Sequence, residues 1–230
     1  MNETIKAYQI YYDESHKDLL MDGFIPHFNE KATVNLESGI IRDLVNRGEC
    51  SNCDWFGVFS WKSATKLGGF DFERLKIAVD ENEDCDLLVP NPRNYICCSR
   101  RIKSPHKLKF KKHKFMEAFD PLIKKLGISE TPSEFMTADR DVVYYNYFIG
   151  TPQIYSDYVN SLLIPAIKLF QEDKELYDMG MELEHYIKKP PPANFTRDTG
   201  LKYYPRIPFI LERLINVYIE INDVKVGWVL

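Results

Sequence analysis

No run of about eighteen apolar residues occurs in this 230-residue chain, so its sequence offers no membrane-spanning helix. The opening Met1-Asn2-Glu3-Thr4-Ile5-Lys6 also lacks the apolar core of a secretory signal, which points to a cytoplasmic protein. Cysteine is scarce and odd in number, five in all, and without a signal segment this favours reduced thiols over a disulfide framework. Cys50-Ser51-Asn52-Cys53 has zinc or redox spacing and Cys97-Cys98 would complete four ligands. An adjacent pair suits a tetrahedron poorly, however, and no histidine lies close to either. Glycine is thin as well: Gly68-Gly69 lacks the further glycines and the Lys-Ser/Thr of a P-loop, which excludes that kind of phosphate cradle. His16, His27, His106, His113 and His185 are scattered, and no Ser-His-Asp or Cys-His order stands out. There is no internal repeat.

What is present is an ordinary globular balance, 44% hydrophobic and 28% charged, in a length that fits one domain over 1–230. A sheet-rich half over 1–150 is followed by a mostly helical half over 151–230. Aromatic content is high, with 14 Tyr and 14 Phe, and implies aromatic packing or aromatic-lined surfaces. The net charge of −4 weighs against a nucleic-acid partner. Charge is uneven all the same: Arg100, Arg101, Lys103, Lys107, Lys109, Lys111, Lys112 and Lys114 form one block with no acid among them. Such a block can bind phosphate, touch the anionic inner face of a membrane as a peripheral contact, or be a solvated loop.

Residues 5–12 have the β-branched and aromatic content of a strand, and a short helix over 15–21 follows. Residues 38–46 predict a helix with Ser38 as N-cap and Gly48 as its stop. The nearly continuous apolar runs 54–61 and 86–90 suit strands buried on both faces. Between them Asp71 caps a helix to about 79, so strand, helix and strand make a right-handed crossover and an open, mostly parallel sheet. Residues 91–110 are the longest candidate loop. A helix over 111–126 ends at Gly127, residues 142–149 form a strand, and Thr151-Pro152 opens a helix to about 171 that Pro165 should kink. A helix over 174–187, the stiff Lys188-Lys189-Pro190-Pro191-Pro192 linker, a last helix over 206–221 and a late strand within 224–230 complete the chain.

In open α/β sheets ligands bind outside the carboxyl ends of the strands. That rule selects Tyr12-Asp13, Ser60-Trp61-Lys62, Asn91-Pro92-Arg93, and Asn146 with Tyr145. Aromatic, cationic and amide groups there suit a ligand with a base to stack, a pyrophosphate to neutralise and sugar hydroxyls to bond. Arg100 and Arg101 add cations nearby in sequence.

The stretch Tyr144-Tyr145-Asn146-Tyr147-Phe148-Ile149, a long apolar helix pattern, and then Arg206 to Asn216 with Phe209, Glu212, Arg213 and Leu214 resemble bacterial proteins encoded with capsule and exopolysaccharide genes, which are treated as glycosyltransferases. Gly57-Val58-Phe59-Ser60-Trp61-Lys62 and Cys85-Asp86-Leu87-Leu88-Val89-Pro90 are similar to that family's strands, more loosely. The resemblance implies a GT-A-like mixed sheet with helices on both faces, and transfer of a sugar from a nucleotide-sugar donor to a saccharide or lipid-linked acceptor in bacterial surface-polysaccharide synthesis. The alternative it leaves is a non-catalytic relative that binds a sugar or a partner transferase. Enzymes of this type can use Mg²⁺ or Mn²⁺ held by Asp-x-Asp after a strand. Asp84-Cys85-Asp86 and Asp139-Arg140-Asp141 have the letters but precede their strands, so no metal ligand is assigned. Asp139 and Asp141 stay catalytic candidates, and the cations Lys62, Arg93, Arg100 and Arg101 can replace a metal. Glu212 is the candidate base for an acceptor hydroxyl, with Tyr145, Asn146, Arg206 and Arg213 as substrate contacts.

Overall fold

The computed structural model describes residues 3–90, 116–129, 143, 146–184 and 189–229. Six strands form one sheet in the order β2-β1-β3-β5-β4-β6, where β1 is Ile5–Tyr11, β2 Ile25–Phe28, β3 Trp55–Ser60, β4 Leu87–Pro90, β5 Ile149–Gly150 and β6 Val226–Val229. All run parallel except β5, which lies antiparallel between β3 and β4. The mixed, mostly parallel sheet expected from the alternating pattern is therefore present, with the crossover from β3 to β4 stepping over β5. Every residue of β3 and of β4 is buried, as their continuous apolar runs require.

Alternate strand residues enter two cores. Tyr8, Ile10, Phe56, Val58, Leu87, Val89 and Phe148 face a larger layer of helices: α1 Leu36–Asn46, α4 Met116–Lys125, α5 Pro152–Tyr158, α6 Ile164–Glu172, α7 Lys174–Gly180, α9 Ile207–Leu211 and α10 Leu214–Ile221. Ala7, Trp55, Phe59, Leu88, Tyr147 and Ile149 face the smaller layer, built on α2 Ser63–Leu67 and α3 Phe72–Glu81. The short helix α8, Ala193–Thr199, follows the proline linker.

Several boundaries differ from the sequence pattern for identifiable reasons. The helix expected from Ser38 starts two residues earlier, at Leu36, whose φ of +46° is left-handed, and Ser38 is buried inside it. Its hydroxyl accepts from Asn146 instead of capping. Pro165 does not simply kink the long helix. It cannot donate to the Ser161 carbonyl, and the backbone widens into a π turn, Val159–Leu163, between α5 and α6. The helix expected over 174–187 stops at Gly180, where a Cβ would stand 2.7 Å from Ile207 Cγ1 and from Phe170 Cε1. Close approach of α6, α7 and α9 requires glycine there. The helix over 206–221 is two helices broken at Glu212-Arg213, although its stripe of Ile207, Leu211, Leu214 and Tyr218 is buried throughout. Of the strand expected over 142–149, only Ile149 is strand among the described residues.

Candidate functional site

The chain leaves β1 towards β2 on one side, whereas β3 leaves by α2 and α3 towards β4 on the other. The switch point thus falls between the carboxyl ends of β1 and β3. Because β5 is antiparallel, Asn146 and Tyr147 enter it at this same edge.

Tyr12 follows β1 directly. Its hydroxyl is buried and turned towards the Glu37 carboxylate, without the geometry of a fully formed hydrogen bond. Burial first, then the charge of Glu37 and a hydrogen-bonding interaction with its carboxylate, then the Tyr147 and Tyr204 phenols, push its pKa well above the usual tyrosine range. Glu37 comes from the first turn of α1, where the helix dipole favours a carboxylate. Opposite, Lys66 on α2 has its Nζ 5.2 Å from the Tyr147 ring centroid. Burial lowers its pKa, Glu37 and Glu212 oppose that, and Lys62 one turn earlier adds to it. Tyr147 shares a short hydrogen bond with Ser60 at the end of β3. Tyr12, Glu37, Lys62, Lys66, Tyr147, Tyr204 and Glu212 are thereby linked around one edge of the sheet, drawn from both helical layers.

The floor of this edge is fixed by Gln9, fully buried on β1. Its Nε2 donates to Ser60 O at 3.4 Å and Ser63 Oγ at 3.3 Å, and its Oε1 accepts from Met21 N at 2.7 Å. One side chain therefore holds the end of β3, the start of α2 and the segment leading to β2. Beside it His16 stacks on Trp61, with centroids 3.9 Å apart and planes 16° from parallel, and Lys62 Nζ lies 4.8 Å from the same indole. Along the rim Asn194 of α8 donates to Tyr12 O at 3.5 Å.

The residues singled out in sequence separate by position. Tyr12, Lys62 and Glu212 join the cluster. Asp13 is exposed and caps a 3-10 turn, Glu14–Leu19, by accepting from Ser15 N at 2.9 Å and Ser15 Oγ at 2.7 Å, bonds that hold its pKa below the usual carboxylate value. Asn146 is buried and donates to Ser38 Oγ at 3.2 Å, while its Oδ1 has no hydrogen-bond partner. Arg213 donates to Phe209 O at 2.7 Å and stands 3.7 Å from the Glu212 carboxylate. Arg206 lies in the larger core, 1% exposed, with Glu117 at 3.1 Å and Glu182 at 2.7 Å. Asn91, Arg93, Arg100, Arg101, Asp139, Asp141 and Tyr145 lie outside the described residues, as does the basic stretch 100–114.

Glu37, Lys66, Tyr147 and Tyr204 escaped the sequence reading. Lys66 had a usable signal, its spacing of four from Lys62 just after a buried strand, which places both on one helix face. Among the described residues no three His, Cys, Asp or Glu side chains are grouped to hold a metal. Cys50, Cys53 and Cys85 are free thiols, and no described helix is long and apolar enough to cross a membrane.

No family model matches the chain, and no curated protein matches it. Among solved structures it is similar to a chain described as the WbbM bifunctional glycosyltransferase in its apo form, with 17% identity and a TM-score of 0.45. The likeness covers 98% of this chain, which spans 44% of that one.

Proposed function

We propose that the protein is a nucleotide-sugar-dependent glycosyltransferase of GT-A-like type, acting on a saccharide or lipid-linked acceptor in bacterial surface-polysaccharide synthesis. The observation that carries this reading is the placement of Lys62 beside Trp61 and of Lys66 beside Tyr147 at the switch point between β1 and β3, with Glu212 within electrostatic reach of Lys66. The resemblance of the 144–149 and 206–216 stretches supplies the substrate class. Lys62 and Lys66 offer positive charge for the leaving diphosphate. Glu212 takes the proton of the acceptor hydroxyl as its oxygen bonds the anomeric carbon. The bond from that carbon to the diphosphate breaks, and the nucleoside diphosphate leaves with the electron pair.

Calorimetric titration with UDP and UDP-sugars tests the reading, and absence of binding by any nucleoside diphosphate overturns it. In an active preparation Glu212→Gln should retain donor binding and lose transfer by a factor of about 10²–10⁴, the contribution of a positioned base. A second reading, a non-catalytic sugar- or partner-binding relative, draws on the 3.7 Å approach of Arg213 to Glu212, an arrangement equally suited to a structural ion pair. Turnover with any donor and acceptor excludes it.

A further inference from the structure

We infer that Gln9 is the positioning residue of the β1/β3 edge: its side chain sets where α2 stands, and so where Lys66 is held. The placement stands on contacts alone, and the arrival of a diphosphate at Lys66 rests on the transferase reading.

Gln9 shares a face of β1 with Ala7, and so enters the smaller core that holds Trp55, Phe59 and Leu67, with no exposed surface of its own. An apolar side chain would fill that place without desolvating an amide. What the amide adds is its bonds, and a satisfied buried network fixes geometry. They reach three separate segments: Ser60 at the end of β3, Ser63 at the start of α2 and Met21 before β2.

Helix α2 depends on an outside hold of this kind. It has five residues, too few to be stable alone, its N-cap Lys62 makes no side-chain capping bond, and it exits through Gly68 and Gly69 at φ +58° and +90°. Buried Leu67 gives it apolar contact, which is not directional. The 3.3 Å bond from Gln9 Nε2 to Ser63 Oγ is directional, and it fixes the first turn.

Lys66 follows Ser63 by three residues, on the same short helix. Its Nζ stands 5.2 Å from the Tyr147 ring centroid, and the Tyr147 hydroxyl shares a short hydrogen bond with Ser60 Oγ. Ser60 O in turn accepts from Gln9 at 3.4 Å. Gln9, Ser60, Tyr147, Lys66 and Ser63 thus close a ring through β1, β3, the chain entering β5, and α2. Gln9 is the member that bonds both serines. Without its amide, α2 can turn about Leu67 and carry Lys66 off the tyrosine ring.

The test uses the full chain, Gln9→Met, which removes the amide and keeps the length, and Ser63→Ala, which removes only the hydroxyl on α2. The folded proteins are treated with trace acetic anhydride, and mass spectrometry compares acetylation of half-buried Lys66 with that of exposed Lys124. Both variants should label Lys66 about fivefold faster relative to Lys124, the weight of one neutral hydrogen bond, and calorimetry should show UDP affinity lowered by a similar factor. A residue that only stabilises the fold would lower the denaturant midpoint and leave the Lys66 ratio of the folded protein unchanged. That result overturns the inference, whatever UDP does. A shifted ratio with UDP bound as tightly as by the wild type overturns it too, because Lys66 then moves without consequence for the ligand. A shifted ratio in the variants, with no nucleoside diphosphate bound by the wild type, keeps Gln9 as the residue that positions α2 and ends the transferase reading. If Gln9→Met does not fold, the Ser63→Ala ratio decides alone.

Discussion

The Arg206 guanidinium and the Tyr12 hydroxyl are both polar groups put out of reach of water, and they are treated differently. Arg206 draws carboxylates from two separate segments, Glu117 of α4 and Glu182 beyond α7, and its backbone N–H donates to Glu182 O at 3.1 Å. It fastens three pieces of the larger helical layer together. Tyr12 has neighbours of the right kind but no completed bond, and His16 Nδ1 and Asn146 Oδ1 at the same sheet edge are also buried without partners. The core has unpartnered atoms too: Arg206 Nε has no hydrogen-bond partner although the two terminal nitrogens of the same guanidinium are paired, and the Tyr158 hydroxyl is enclosed by Phe148 and Tyr218 with no charge pressing on it. What distinguishes the β1/β3 edge is unused bonding capacity together with opposed charges. The scaffold neutralises its buried charge with two carboxylates, even where one N–H stays unbonded, whereas the edge sets cations and carboxylates against each other without pairing them so closely.

The largest effect that would sharpen this contrast comes from Arg206→Ala. It deletes a buried cation and its packing and should lower stability by about 3 kcal/mol. The loss stays in the lower part of the range for broken buried pairs because Glu117 and Glu182, 59% and 58% exposed, can be hydrated once the cation is gone. Denaturant melts measure the loss, and UDP affinity under native conditions should not move. A large fall in affinity with little loss of stability would return Arg206 to the binding edge and break the distinction.

Lys66→Met tests the other side. The substitution removes a charge whose desolvation the fold opposes and keeps the length of the stem, so the melting temperature should shift by less than about 4 °C. Affinity for UDP-sugar should fall by about tenfold, the loss of one charged contact to diphosphate. A large destabilisation with unchanged affinity would make Lys66 part of the scaffold, like Arg206.

The same two residues show how far the sequence carries. Arg206 sits in the most family-like stretch of the chain, and its charge suggested a ligand. Only Glu117, 89 positions earlier, and Glu182 reveal a structural bridge, and no local pattern announces partners that distant. Apolar periodicity exposed the strands at 54–61 and 86–90 because burial on both faces leaves a continuous run. It did not expose β5, two residues long and placed between strands by tertiary pairing. For the site, the carboxyl-end rule located Tyr12 and Lys62, since it needs only strand ends. Glu37 was out of reach: its interaction with Tyr12 joins the first turn of α1 to the end of β1, which local spacing does not encode. Asn216, read as part of a signature, exchanges bonds of 2.7 and 3.0 Å with the Val143 backbone, a purely structural use of a side chain with the look of a ligand contact.

The smallest expected effect belongs to His16, which tests whether the open edge affects stability through protonation. Its pKa is lowered from 6.5, chiefly by burial, with Lys62 adding to the effect and Asp13 opposing it. The unfolded chain therefore binds a proton more readily than the folded one between that lowered value and about 6.5. Stability then rises with pH through this window and is lost as pH falls below about 6.5, because charging the ring requires wetting an Nδ1 that the fold leaves dry. Burial and Arg47 lower His27 as well, which gives the whole chain a second slope in the same direction. The informative quantity is therefore a difference. Thermal melts at pH 7.5, 6.5 and 5.5 should show a shallower dependence for His16→Gln than for the wild type, and acidification should change tryptophan emission through Trp61 in the wild type only. Equal slopes in the two proteins would mean that the His16–Trp61 stack tolerates a charged imidazole, and that this corner is solvated scaffold, not part of the open edge.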